Sequence, residues 1–154
     1  MAGAAKTESA FLRDLLNRNA RNSDRARRIA GGLSSAQMIW QPAPTAWSVG
    51  HCLEHLRISA LLYFEPMDIG LARARAANLT APPDHTPRHT LMGRMLIWAI
   101  STKTKKRTKN PKKITPLEFN PETILQEFLE TQNRLAQVIA SADGLNLEKA
   151  RMRS

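Results

Sequence analysis

The chain has 154 residues, one cysteine and a formal net charge of +10. That is the size of one domain, able to bury about 68–70% of its unfolded surface without a staple, and a lone Cys52 excludes an internal disulfide framework. The longest apolar run, LMGRMLIWAI at 91–100, contains Arg94 and is about half a membrane span, while MAGAAKTESAF lacks the apolar core of a secretory signal, so the expectation is a cytoplasmic protein in a reducing compartment, without membrane partners.

After an N-terminal arm over 1–7, expected to be disordered, apolar or small residues recur at Leu12, Leu15, Leu16, Ala20, Ala26, Ala30 and Leu33. Three-to-four spacing with arginines between predicts an amphipathic helix over 7–33, closed by Gly31-Gly32 as a left-handed stop. In SSAQMIWQPAPTAW, 34–47, Pro42 and Pro44 predict an extended loop. Ser48 can accept from the orphan amides that follow it and so N-caps the next helix. Val49, Cys52, Leu53, Leu56, Ser59, Ala60 and Tyr63 trace its expected inward stripe. Pro66 is expected to kink or interrupt it, with LARARAA, 71–77, as the continuation.

TAPPDHTPRHT, 80–90, reads as a turn-rich connection, and 90–101 as a short helix. A basic crossover loop, 101–116, follows, in which Lys103, Lys105, Lys106, Arg107, Lys109, Lys112 and Lys113 carry most of the charge excess. Glu122 opens a helix to about Ala142, with Ile124, Leu125, Phe128, Leu129, Leu135, Val138 and Ile139 inward and Gly144 just past its end. Period-two alternation is almost absent, so the fold class is all-α, an antiparallel bundle with one long crossover.

Within this frame LSSAQMIWQPAPTAWSVGHCLEHL resembles the signature of the DinB-like superfamily, also called YfiT-like metal enzymes: a Pro-rich turn, a Trp-Ser pair, then a helix bearing a His-Leu pair. The stretch from PKKITPLEF onward follows that family's course from crossover into third helix, so the resemblance covers roughly 8–154, read as one domain. It implies an up-down-down-up four-helix bundle in which three histidines hold a divalent metal, zinc or nickel, for a hydrolase or a transferase using a small thiol. His55 matches the ligand on the second helix. The other two histidines belong to a fourth helix, which is missing or truncated here, since no histidine follows His89. The expectation is a fragment of a longer protein, with loss of the site as the alternative, supplying one ligand and inactive alone, and the family's habit of pairing subunits makes a homodimer an expected partner arrangement.

Beside the resemblance stand the readings that the residues give on their own. His51 and His55, at i and i+4, share a helix side and could chelate zinc. The spacing alone favours the blander alternative, one ring toward the core and one toward solvent. The family pattern supports His55 but not His51. Glu54 is a candidate base or supporting carboxylate, yet a different helix face from His51 favours exposure. Cys52 reads as a small core hydrophobe, and Trp40 and Trp47 as rings clamping the loop onto the bundle. Pro87 breaks any helical relation between His85 and His89, which read as solvated. The competing function is a non-catalytic scaffold, or a nucleic-acid or anionic-surface binder using the 101–113 cations. Without interleaved aromatics that segment reads more readily as a solvated, mobile loop.

Overall fold

The computed structural model describes residues 7–88, 94, 115–116 and 118–150. Among them are four helices, α1 (Ala10–Ala30), α2 (Ser35–Ile39), α3 (Val49–Ala76) and α4 (Ile124–Ser141), and no strand beyond a single bridge between Thr80 and Leu145. The all-α expectation holds. The basic segment 101–113 and His89 lie outside the described residues, and of the helix expected over 90–101 only Arg94 is described, in helical backbone.

Two apolar clusters fix how the helices run. At one end Ala30, Met38, Leu53, Ile124 and Phe128 meet; at the other, Leu12, Leu71, Val138 and Ala142. The end of α1 therefore lies with the starts of α3 and α4, and its start lies with their ends. Thus α1 runs opposite to α3 and α4, which run side by side in the same direction. Two neighbouring helices pointing the same way need a crossover as long as themselves, and residues 77–123 supply it.

Local chemistry explains each boundary. Ser9, Ser34 and Ser48 have extended backbones and accept from the amide three residues on, the N-cap role that satisfies otherwise orphan donors. Asp143 adds a tertiary cap, its carboxylate accepting from the amides of Glu8 and Ser9 at 2.9 and 3.2 Å. Thr7, assigned by sequence to a disordered arm, is buried, and its carbonyl accepts from Arg13. Past α4, Gly144 adopts φ +75°, the left-handed value that a residue without Cβ reaches cheaply. The expected left-handed stop after α1 is not formed: Gly31 has φ −67°, and neither it nor Gly32 has positive φ. The Pro-rich loop also holds one more element than expected, because Ser34 and Gln37 form a reciprocal capping box that nucleates α2 before the prolines.

Helix α3 departs furthest from the sequence reading. It passes through Pro66 as one helix of 28 residues. Proline denies a donor to the carbonyl of Leu62, but Leu62 is exposed, where water can take that carbonyl. The expected inward stripe is also rotated. Leu56 and Tyr63 are 51% and 59% exposed and Cys52 is exposed, whereas Gly50, Leu53, Glu54, Gly70, Leu71 and Ala74 are buried. Apolar residues lie all round α3, so its packing partner decides which side is covered. In α1 the buried set includes Asn19 and Ser23 in place of the expected Ala20, and Asn19 donates to the carbonyl of Gln132 on α4 at 3.0 Å.

Charged side chains clip α3 to α4 along their length. Arg57 pairs with Glu127 at 2.8 Å and Asp68 with Arg134 at 2.5 Å, and Arg75 donates to the carbonyl of Ser141. Backbone comes close to a neighbouring segment at Gly50, where an added Cβ would overlap the ring edge of Phe119 and come within 3.1 Å of the Met38 carbonyl. Gly50→Ala is therefore expected to destabilise the fold by about 1–2 kcal/mol in denaturant titration, overpacking outweighing the helix-propensity gain of about 1 kcal/mol.

Candidate functional site

The site begins with the Ser48 cap. Buried at 2% exposure, its hydroxyl accepts from the amide of His51 at 3.2 Å and lies 2.7 Å from Nδ1 of the same histidine. The Ser48 amide also points at Nδ1, at 3.4 Å. A backbone N–H can only donate, so Nδ1 is the acceptor, and the network assigns the proton of a neutral ring to Nε2. His51 is thus the third residue of a capping box, and its other contact is an edge-on approach to Phe119, ring centres 5.0 Å apart. That engagement accounts for its position without any ligand role.

His55, one turn on, has a different neighbour. Its half-buried ring lies against Trp47, centres 4.9 Å apart at 50°, and its carbonyl accepts from the Ser59 hydroxyl at 2.6 Å. Trp47 therefore clamps the end of the Pro-rich turn onto α3, as the sequence suggests. Trp40 does not: it is 67% exposed.

Glu54 contradicts the expectation of a surface carboxylate, being 8% exposed. The physical reason is the rotation of α3, which turns the side carrying Gly50, Leu53 and Glu54 toward the bundle. Glu54 Oε2 is 3.5 Å from Arg57 Nε, an ion-pair distance too long for a good hydrogen bond, and that oxygen has no hydrogen-bond partner among the described residues. Arg57 gives its better contacts to Glu127, with Nη2 at 2.8 Å and Nε at 2.9 Å from Oε2, and the Thr123 hydroxyl donates to Oε1 at 2.7 Å. Burial pushes the Glu54 carboxyl above its ordinary value, only partly opposed by Arg57, with Glu127 adding to the rise. The hydrogen bonds from Thr123 and Arg57 hold Glu127 below its own. One arginine thus serves two carboxylates unequally.

Sequence reasoning missed Arg57, Phe119 and Glu127. The signal for Arg57 was present, because Glu54 and Arg57 stand at i and i+3 on a helix. Nothing local marked Phe119 or Glu127, which reach α3 only through the fold. Cys52, read as a core residue, is exposed, and His85, read as solvated, is half-buried with Nε2 enclosed.

Over this helical frame, the sequence model of the DinB superfamily matches residues 18–153. The chain belongs to the DinB superfamily. No curated protein and no solved structure matches it. For this DinB-superfamily chain the fold follows from membership, while the donor set must be read from its own residues. Among the described residues no three His, Cys, Asp or Glu side chains converge closely enough to hold a metal ion. His51 is engaged by Ser48, and Glu54 lies at ion-pair distance from Arg57, so both serve the network of the fold. The described residues do not make a complete metal centre.

Two outcomes test this arrangement. Ser48→Ala removes both the cap and the partner of His51 Nδ1 and should cost about 1–2 kcal/mol in thermal or chemical unfolding. Glu54→Gln keeps the shape and removes a disfavoured buried charge, so it should raise the melting temperature near neutral pH. A raised acid burdens the fold fully above its folded-state value and not at all below its unfolded value. The advantage of the glutamine variant should therefore shrink as pH falls through that window and vanish below the ordinary glutamate value of about 4.3. An advantage independent of pH would assign the effect to packing instead.

Proposed function

We propose that this DinB-superfamily domain contributes His55 as a single imidazole ligand to a divalent metal, zinc or nickel, in a hydrolase or thiol transferase whose remaining donors lie outside the described residues. The observation carrying this reading is the setting of His55. Its ring lies against Trp47 in the second turn of a helix with a doubly capped start, and His55 stands where the resemblance to this family implies a ligand. An abutting indole on a well-capped helix limits the orientations of the imidazole, which a ligand needs before any metal arrives.

A non-catalytic helical scaffold is the second reading. It is favoured by how many nearby polar groups serve the fold: Ser48 and His51 close the cap, and Glu54, Arg57 and Glu127 join α3 to α4.

Metal content separates the two. Purified protein exposed to zinc or nickel and then desalted should retain metal, and its melting temperature should rise with metal concentration as for any ligand that binds only the folded state. His55→Ala should lose at least tenfold in apparent affinity, while His51→Ala should lower stability with little effect on retention. Retention equal in wild type and His55→Ala would remove His55 from the site, and no retention by the wild type would leave the scaffold reading.

A further inference from the structure

The solvent face of α1 carries an arrangement that neither the bundle nor His55 uses. All six cations of this helix are arginines. Arg13 is engaged at the start of the helix by the carbonyls of Thr7 and Glu8, and Arg27 by Asp24. The other four, Arg18, Arg21, Arg25 and Arg28, stand at i, i+3, i+7 and i+10, one face of a helix, opposite the side that buries Leu12, Asn19, Ser23 and Ala30. At 1.5 Å per residue they span about 15 Å. All four are exposed. Arg18 is paired with Asp14 at 2.8 Å, but the pair is two-thirds and half exposed, so it holds the guanidinium weakly. Arg21, Arg25 and Arg28 make no ion pair or hydrogen bond with any described residue.

Like charges at this spacing repel, at a cost to the helix of a few tenths of a kcal/mol per pair. A polyanion laid along the face relieves that repulsion and releases its own counterions. We propose that this arginine face of α1 binds the phosphate backbone of a double-stranded nucleic acid, without regard to base sequence. Three features select that partner. Guanidinium forks engage phosphate oxygens bidentately, which lysines cannot do, and this helix has no lysine. A membrane-surface helix turns a continuous apolar side to the lipid, whereas Phe11, Leu12 and Leu15 of α1 pack inside the bundle and a single large apolar residue, Ile29, stands exposed on the arginine side. Single strands are gripped by stacking aromatics, and the only aromatic residue of α1, Phe11, is half-buried in the far cluster. The proposal is independent of His55 and of the 101–113 cations.

The test is binding of the full chain to a labelled mixed-sequence DNA duplex, by fluorescence anisotropy across a salt series. R21Q/R25Q/R28Q should flatten the log–log salt slope by about 2.7, about 0.9 for each phosphate no longer neutralised. R21K/R25K/R28K should keep most of the slope and lose affinity. R73Q/R88Q/K149Q removes the same charge elsewhere and should leave the slope within about 0.9 of wild type, the share of a single phosphate. Far-ultraviolet circular dichroism checks that each variant is folded. A slope unchanged by the α1 glutamines, or changed equally by the control triplet, overturns the proposal. So does an α1 dependence seen with phosphatidylserine vesicles but not with duplex.

Discussion

Everything described depends on α4 being covered on two sides at once. Ile124 is fully buried and Phe128 3% exposed at one end, Val138 and Ala142 are similarly buried at the other, and the partners are α1 and α3 together. A buried side chain the size of Ile, Phe or Val stabilises by about 1.5–3 kcal/mol, and Ile124, Phe128 and Val138 lie toward the two ends of α4. Once α4 lies between α1 and α3 with its start at the end of α1, the direction of α3 and the need for a long crossover follow. So does the setting of the candidate site, since the start of α3 is held against the same end of α4.

That packing also decides the electrostatics. Glu54 would be an ordinary surface acid if α3 were turned by a third of a revolution. Instead it is carried under α4 and must share Arg57 with Glu127. The sharing is unequal because Glu127 has a second donor in Thr123 and greater access to solvent, so it retains its charge while Glu54 resists ionising. Replacing Arg57 would leave the buried Glu54 with no counter-charge among the described residues.

Membership of the DinB superfamily accounts for the helical scaffold, but the polar chemistry near His55 serves folding first. His51 illustrates this. Its spacing from His55 is that of a chelating pair, yet Ser48 takes its Nδ1 and Phe119 packs edge-to-face with its ring, so the two histidines that look like a couple in the sequence have different surroundings.

What the sequence determined by itself was whatever depends on neighbours within a few residues. The helices of α1 and α4 were legible from their one-sided apolar stripes, the start of α3 from Ser48, the end of α4 from Gly144, and the family from the Trp-Ser turn with its following histidine. Only the tertiary structure decided which side of α3 is covered, that Pro66 stays within the helix, that Glu54 is buried while Cys52, Leu56 and Tyr63 face out, and that Phe119 and Glu127 stand beside α3. The reason is physical: α3 has apolar residues all round and so no preferred face of its own. The side buried is the one that fits the surface α4 offers, and that surface is made by residues some 70 positions away in the chain, as in the Arg57–Glu127 pair.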